Sequence, residues 1–147
     1  MGFRDRIKNE FGLSKYENSS DGTDLNKIRL SCEDVLFVCN SNTVVSPIAE
    51  AIFNQFSGDR QSFSAGLNAQ SGNSASEDAI TVCQEYGIEL SDHVIANIND
   101  FFLDDAGLVI TSTVPIRDAL KIRFPNAKIF TIKEYAEGYY DSDILIL

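Results

Sequence analysis

Cys39 closes the apolar run Val35-Leu36-Phe37-Val38, and Ser46-Pro47 follows across the polar stretch Asn40-Ser41-Asn42-Thr43 and two valines, Val44 and Val45. A strand that delivers a cysteine into a short loop at a helix N-terminus is a place for nucleophilic attack on an anion. Successive amides of such a loop converge on one point and form a nest, and the helix dipole adds positive potential there. A cysteine held in that nest can attack phosphorus. Cys39 is therefore the candidate nucleophile, and Asn40, Ser41, Asn42, Thr43, Val44 and Val45 are the candidate anion-binding loop. Ser46 can cap the helix and can also hydrogen-bond the thiolate. Asn42 tolerates the left-handed backbone that such a loop often needs. The residues alone leave a second reading open, a buried cysteine that merely ends a strand.

The elements around the loop repeat one pattern. Val35–Val38 is a continuous apolar run, as expected of a strand buried on both faces. Residues 47–56 predict a helix with Ile48, Ala51, Ile52 and Phe56 lining one side and Pro47 in its first turn. Short strands are expected at 62–65, 107–110 and 127–132, helices at 75–86 and 115–124, a helical segment at 96–103 and a last turn from Lys133. Strands alternating with helices imply right-handed crossovers, hence an α/β domain with a parallel sheet and helices on both faces. Ligands in such folds sit beyond the carboxyl ends of the strands, the edge to which Cys39 is delivered.

Ahead of this domain, residues 3–13 predict a short amphipathic helix with Phe3, Ile7 and Phe11 at helical spacing and Gly12 as its stop. Residues 14–27 are polar and linker-like. The expected organisation is thus a helix and linker over 1–27 and one domain over 28–147, with the globular pattern becoming clear near Asp34. The formal net charge of -10 disfavours nucleic acid as a partner. No apolar stretch is long enough to span a membrane, and the charged N-terminal residues do not form a secretory leader, so a cytoplasmic location is expected. Three cysteines, Cys32, Cys39 and Cys83, without a close pair fit neither a disulfide framework nor a structural zinc site. Cys83 lies on the apolar face of a helix and is expected to be packing.

The segment Val35 to Glu50 resembles the signature of low-molecular-weight protein tyrosine phosphatases and the related arsenate reductases, V-L-F-V-C-x-G-N-x-C-R-S-P-x-A-E. It matches at Val35 to Cys39, Asn42, Ser46-Pro47, Ala49 and Glu50. The resemblance continues through Ser64-Ala65-Gly66, Gly87 to His93, Leu108 to Thr111, Phe124-Pro125 and Lys133-Glu134-Tyr135, covering residues 34 to about 144 in order. It implies a four-stranded parallel sheet and a cysteinyl-phosphate mechanism without metal or cofactor. It also implies that His93, the single histidine, braces Asn42 from behind the loop.

The departures carry as much information. The family's loop glycine is Ser41, its second loop cysteine is Val44, and its arginine is Val45. In these enzymes the guanidinium clamps two phosphoryl oxygens and stabilises the transition state; a valine can do neither. The family's terminal D-I-x-D-P, whose second aspartate is the general acid, corresponds here to Asp143-Ile144-Leu145-Ile146-Leu147. The acid position becomes Ile146, with Asp141 or Glu137 as possible substitutes. Losing one electrostatic donor costs roughly 10²–10³ in rate, and losing a general acid roughly 10²–10⁴. A typical turnover of about 10 per second would then fall below roughly 10⁻³ per second.

The favoured expectation is a phosphatase-like protein with severely impaired catalysis, holding a phosphate-like anion or a phosphorylated ligand, with a protein partner reachable through the N-terminal helix. The alternative is an active cysteine-dependent phosphomonoester or phosphotyrosine hydrolase in which another cation, from Arg60, Arg117 or Arg123, replaces the missing one. A thiol redox enzyme of the arsenate-reductase kind is the minor alternative. Tyr139 and Tyr140 stand near the expected cleft, where packing by one of the pair is the simpler role.

Overall fold

The computed structural model describes residues 27–57, 61–103 and 106–137. The helix expected over 3–13 and residues 14–26 lie outside that set, as do Arg60, Tyr139, Tyr140, Asp141, Asp143, Ile146 and the side chain of Glu137. In chain order the elements are β1 (Ile28–Arg29), β2 (Val35–Cys39), α1 (Val45–Phe56), β3 (Ser62–Gly66), α2 (Glu77–Glu85), a 3₁₀ turn (Ile98–Asp100), β4 (Phe101–Phe102), β5 (Leu108–Thr111), α3 (Val114–Arg123), β6 (Ile129–Thr131) and α4 (Ile132–Glu137).

Four of the strands form one parallel sheet in the order β3-β2-β5-β6. All five residues of β2 are buried, and its alternation serves two cores at once. Leu36 and Val38 pack with Phe63, Val109, Ile116, Leu120 and Leu30 on one face. Val35 and Phe37 pack with Leu108 and Ile110 on the other, where Phe53 of α1 meets Phe37 edge-on at 5.9 Å between ring centroids. From β2 the chain winds outward to β3 and then returns to place β5 on the opposite side. The strand order therefore reverses beside the carboxyl end of β2, and that end is Cys39. A sheet of this kind opens a crevice for ligands at such a switch point.

α2 forms a smaller satellite core, in which Ala75, Ala79, Cys83 and Leu90 meet Val44, Ile48 and Ala51 from the loop and α1. Burial pushes the Cys83 thiol above its ordinary value, as suits a packing cysteine.

Two expectations are corrected. Residues 96–103 are not a helix: after one 3₁₀ turn the chain extends at Phe101–Phe102, which pairs in parallel with Ile28–Arg29. The pairing lets Phe101 reach the main core, where it is 3% exposed, and this long-range gain overrides local helical spacing. The core also begins before Asp34, because Leu30 is fully buried in the same cluster. Leu30→Ala should therefore lower the unfolding free energy by about 2–5 kcal/mol, read from urea denaturation. A cost below about 1 kcal/mol would mean that this strand is peripheral.

Candidate functional site

The loop from Cys39 to Ser46 is shaped by one residue. Asn42 is fully buried and has a φ of 59°, in the left-handed region. Its backbone N–H donates to Cys39 Sγ at 3.3 Å. The side-chain amide of Asn42 is used on both ends. Nδ2 donates to Ser46 Oγ at 2.8 Å and to Ser64 Oγ of β3 at 2.9 Å. Oδ1 accepts from the Ala96 N–H at 2.9 Å and faces His93 Nε2 at 3.0 Å. The same His93 nitrogen lies 3.2 Å from the Asn42 carbonyl. Both of its neighbours are acceptors, so Nε2 carries a proton. Nδ1 of His93 is buried without a hydrogen-bond partner and lies 3.6 Å from Glu50 Oε2. Glu50 in turn accepts from Ser64 Oγ at 3.2 Å.

Ser46 does not cap α1 with its side chain. The N-cap position is Val44, without a side-chain cap bond, and the helix begins two residues earlier than Pro47. The Ser46 hydroxyl is directed instead to Cys39 Sγ at 2.9 Å, with the Ala65 carbonyl at 3.5 Å. Because Ser46 Oγ accepts from Asn42, its single proton goes either to Ala65 or to sulfur. A thiolate at Cys39 would draw it to sulfur, together with the Asn42 N–H.

Gly66 completes the frame. A Cβ there would lie 2.8 Å from the Asn40 carbonyl and 2.9 Å from the Asn42 nitrogen, so only glycine lets β3 lie this close beneath the loop. Asn68 adds a clamp through its N–H to the Asn40 carbonyl and its Nδ2 to Asn40 Oδ1, at 2.9 and 2.8 Å. Among the described residues, no acceptor takes the N–H groups of Ser41, Thr43, Val44, Val45 or Ser46. These are the donors available to an anion.

A cavity of about 220 Å³ opens above Cys39. Asn40, Ser41, Thr43, Val44 and Val45 line one side and Ser112, Thr113 and Ile116 the other. The loop residues singled out in the sequence are thus assembled around one point, with His93 behind them rather than in the cavity. The two valines differ. Val44 packs into the satellite core, whereas Val45 belongs to none of the apolar clusters among the described residues. Among the described residues, no lysine, arginine or histidine lines the cavity.

Of the candidate cations, the two within the described residues, Arg117 and Arg123, are engaged elsewhere. Arg117 is buried and bridges α3 to Glu134 of α4, with Asp118 on its other side. Arg123 donates to Asn99 Oδ1 at 2.7 Å and lies over the Phe124 ring. Sequence reading missed Ser64, the Ala96 amide and the cavity wall Ser112-Thr113-Ile116. Glu50 and Ser64 stood inside matched motif segments, so their functional signal was present. The role of Ala96 rests on a main-chain group that no side-chain pattern marks.

Two outcomes follow. Asn42→Ala leaves the buried Ala96 N–H without its acceptor and His93 Nε2 with the residue-42 carbonyl alone, at about 1–3 kcal/mol for an orphaned group, so the urea midpoint should fall well below that of Asn42→Asp. Glu134 is the second case. Burial alone would raise its pKa, but the hydrogen bond from Arg117, the Thr131 N–H and the charge of Arg117 outweigh that and hold the carboxyl below its ordinary value. Its contribution to stability is complete above the ordinary carboxyl value of 4.5 and is lost as pH falls below that through the lowered folded value. Glu134→Gln should be less stable at pH 7 and should lose less stability between pH 5 and pH 3 than the natural chain. Parallel thermal-midpoint curves for the two proteins would overturn this.

Residues 34–145 match the family described as low molecular weight phosphotyrosine protein phosphatase. The chain is 32% identical over 119 residues to a protein-arginine-phosphatase of Bacillus subtilis, covering 76% of this chain and 77% of the relative. It is 37% identical over 113 residues to a protein-arginine-phosphatase of Geobacillus stearothermophilus, covering 75% of each. The solved YwlE arginine phosphatase from Geobacillus stearothermophilus superposes with a TM-score of 0.70 at 34% identity, over 78% of this chain and 75% of that one. A low molecular weight protein tyrosine phosphatase from T. tengcongensis superposes at 0.67 with 37% identity, over 77% and 80%. With the parallel sheet, the switch point and the cysteine loop in place, the chain belongs to the low-molecular-weight phosphotyrosine protein phosphatase family.

Proposed function

We propose that this protein uses the cysteine loop to hold a phosphorylated protein side chain, or a phosphate-like anion, with little or no turnover. The observation that carries the reading is the cavity over Cys39, where the described residues offer amides and hydroxyls but no cation, with Val45 where the family has arginine. The remaining donors favour a dianion through hydrogen bonds and the α1 dipole. They do not supply the bidentate charge that a phosphoryl transition state gains over its ground state. Binding that is equal in both states gives affinity without rate. Cys39, Asn42 and Ser46 keep a geometry suited to receiving the anion, which favours a binding role over a merely structural loop.

The family supports phosphotyrosine as one ligand class, and the relatives named protein-arginine-phosphatase support phosphoarginine as another. Arg117 and Arg123 are committed to Glu134 and Asn99, which weighs against a relocated cation from either.

Turnover of p-nitrophenyl phosphate by the purified protein, with Cys39→Ser as the blank, tests the proposal. The expected rate is below roughly 10⁻¹ per second on p-nitrophenyl phosphate, from the missing electrostatic donor alone, and below roughly 10⁻³ per second on phosphotyrosine, which also lacks its acid. Val45→Arg should tighten phosphate and vanadate binding at least tenfold, in keeping with a charge-assisted pair worth about 1.5–3 kcal/mol. It should also raise activity on p-nitrophenyl phosphate, with far less recovery on phosphotyrosine, whose leaving group needs an acid. Robust hydrolysis of phosphotyrosine or phosphoarginine by the natural chain would establish the active alternative. A folded Val45→Arg protein with no gain in oxyanion binding would mean that the loop does not accept the anion.

A further inference from the structure

A second cavity, of about 360 Å³, lies behind the cysteine loop and shares no lining residue with the one above Cys39. One wall is a side of α1 that carries Glu50 and Asn54, one helical turn apart. The other wall is the segment 87–93, with Glu89, Asp92 and His93. Gly87 follows α2 with a φ of 72°, in the left-handed region, and so starts the turn into this segment. Ile88 and Leu90 then pack with Ile48 and Ala51 of α1. Glu50 and His93 are 5% and 7% exposed, whereas Glu89 and Asp92 are exposed. The cavity thus has a buried floor and an acidic rim.

The floor lacks a donor. His93 Nε2 carries a proton, because both of its neighbours are acceptors of Asn42. In the neutral ring Nδ1 is then an acceptor, and this buried atom has no hydrogen-bond partner. Glu50 Oε2 stands 3.6 Å from it and is an acceptor too, taking the Ser64 hydroxyl at 3.2 Å. Two acceptors facing one another away from water are costly unless a donor serves both. Acceptors at that separation lie within reach of one nitrogen about 2.8 Å from each.

The surroundings select the donor. Among the described residues, the cavity has three carboxylates in its wall and no lysine or arginine. The Ser91 hydroxyl and N–H hold the Glu89 carboxyl below its ordinary value, so the rim stays charged. Such a wall repels anions and attracts cations. Among the described residues, no three His, Cys, Asp or Glu side chains are arranged to hold a metal ion. A guanidinium is a wide planar fork, whereas an ammonium is a compact head with three donors that rotate to suit. We propose that this second cavity binds the primary ammonium group of an alkylamine, which donates to Glu50 and to His93 Nδ1 at the floor and is drawn in by Glu89 and Asp92 at the rim.

His93 is the single histidine of the chain, so its imidazole nitrogens give one set of ¹⁵N signals. Titrating the full chain with n-butylamine at pH 8 and constant ionic strength should shift those signals saturably, with half-saturation at about 1 mM or below. Tetramethylammonium carries the same charge without an N–H and should leave them in place. Glu50→Gln should weaken butylamine binding at least about tenfold. Glu89→Gln with Asp92→Asn should weaken it at least about twofold, and these exposed positions keep the test independent of how the floor variant folds. Nα-acetyl-lysine amide supplies the same head from a protein side chain. Tighter binding of it than of butylamine supports the site with a partner's lysine as the source, and the reverse order supports it with a free amine. An equal response to tetramethylammonium would reduce the effect to screening of a chain with a net charge of -10 and overturn the proposal. So would an unsaturable shift, or a rim variant that binds as the natural chain does. A ring that stays doubly protonated at saturation would also overturn it, since its own proton would then fill the gap to Glu50.

Discussion

The buried side chain of Asn42 joins everything that the site requires. A primary amide offers donors at one end and an acceptor at the other, and here both ends are satisfied by different parts of the fold. The donor end holds Ser46 at the start of α1 and Ser64 on β3; the acceptor end holds the Ala96 N–H and the His93 ring. The start of α1 and two segments distant in sequence, at Ser64 and at 93–96, are thereby tied to the residue whose own N–H points at Cys39. Burial makes the arrangement strict, because each of these groups would be costly to leave unpaired away from water. The left-handed backbone of Asn42 is held in place by the same bonds.

The cradle is consequently independent of a loop arginine. Asn42, Ser46, Gly66 and Asn68 set the course of residues 40–46 through neutral hydrogen bonds and one close backbone approach. Val44 anchors the loop in the satellite core, leaving Val45 at the cavity. A cation at position 45 would act on the ligand rather than on the scaffold. The shape of the loop therefore does not depend on a charge at position 45, since positioning and transition-state charge are separable contributions.

Arg117 illustrates how burial decides what a charge can do. Its guanidinium lies in the protein beside Glu134, whose carboxylate also caps the turn into α4 through the Thr131 N–H. Breaking a buried pair by withdrawing one partner leaves an uncompensated charge, which costs about 3–5 kcal/mol. The pair therefore locks α3 to α4 and keeps this arginine out of the loop.

The sequence by itself determined the α/β class, the parallel sheet, the cysteine at the end of its first long strand, and the polar loop with its left-handed asparagine. These are local matters: a continuous apolar run, an alternation of strand and helix patterns, and a motif confined to sixteen residues. Helix boundaries came within two residues for the same reason. Only the tertiary structure decided that Phe101–Phe102 extends to meet Ile28–Arg29, that Leu30 is core, and that Ser46 turns from the helix cap to the sulfur. It also decided that Arg117 belongs to Glu134 and that a backbone amide at Ala96 supports the loop. Each of these outcomes depends on a partner many residues away, and the choice between a local hydrogen bond and a distant one is made by what burial places alongside, which no single stretch of sequence contains.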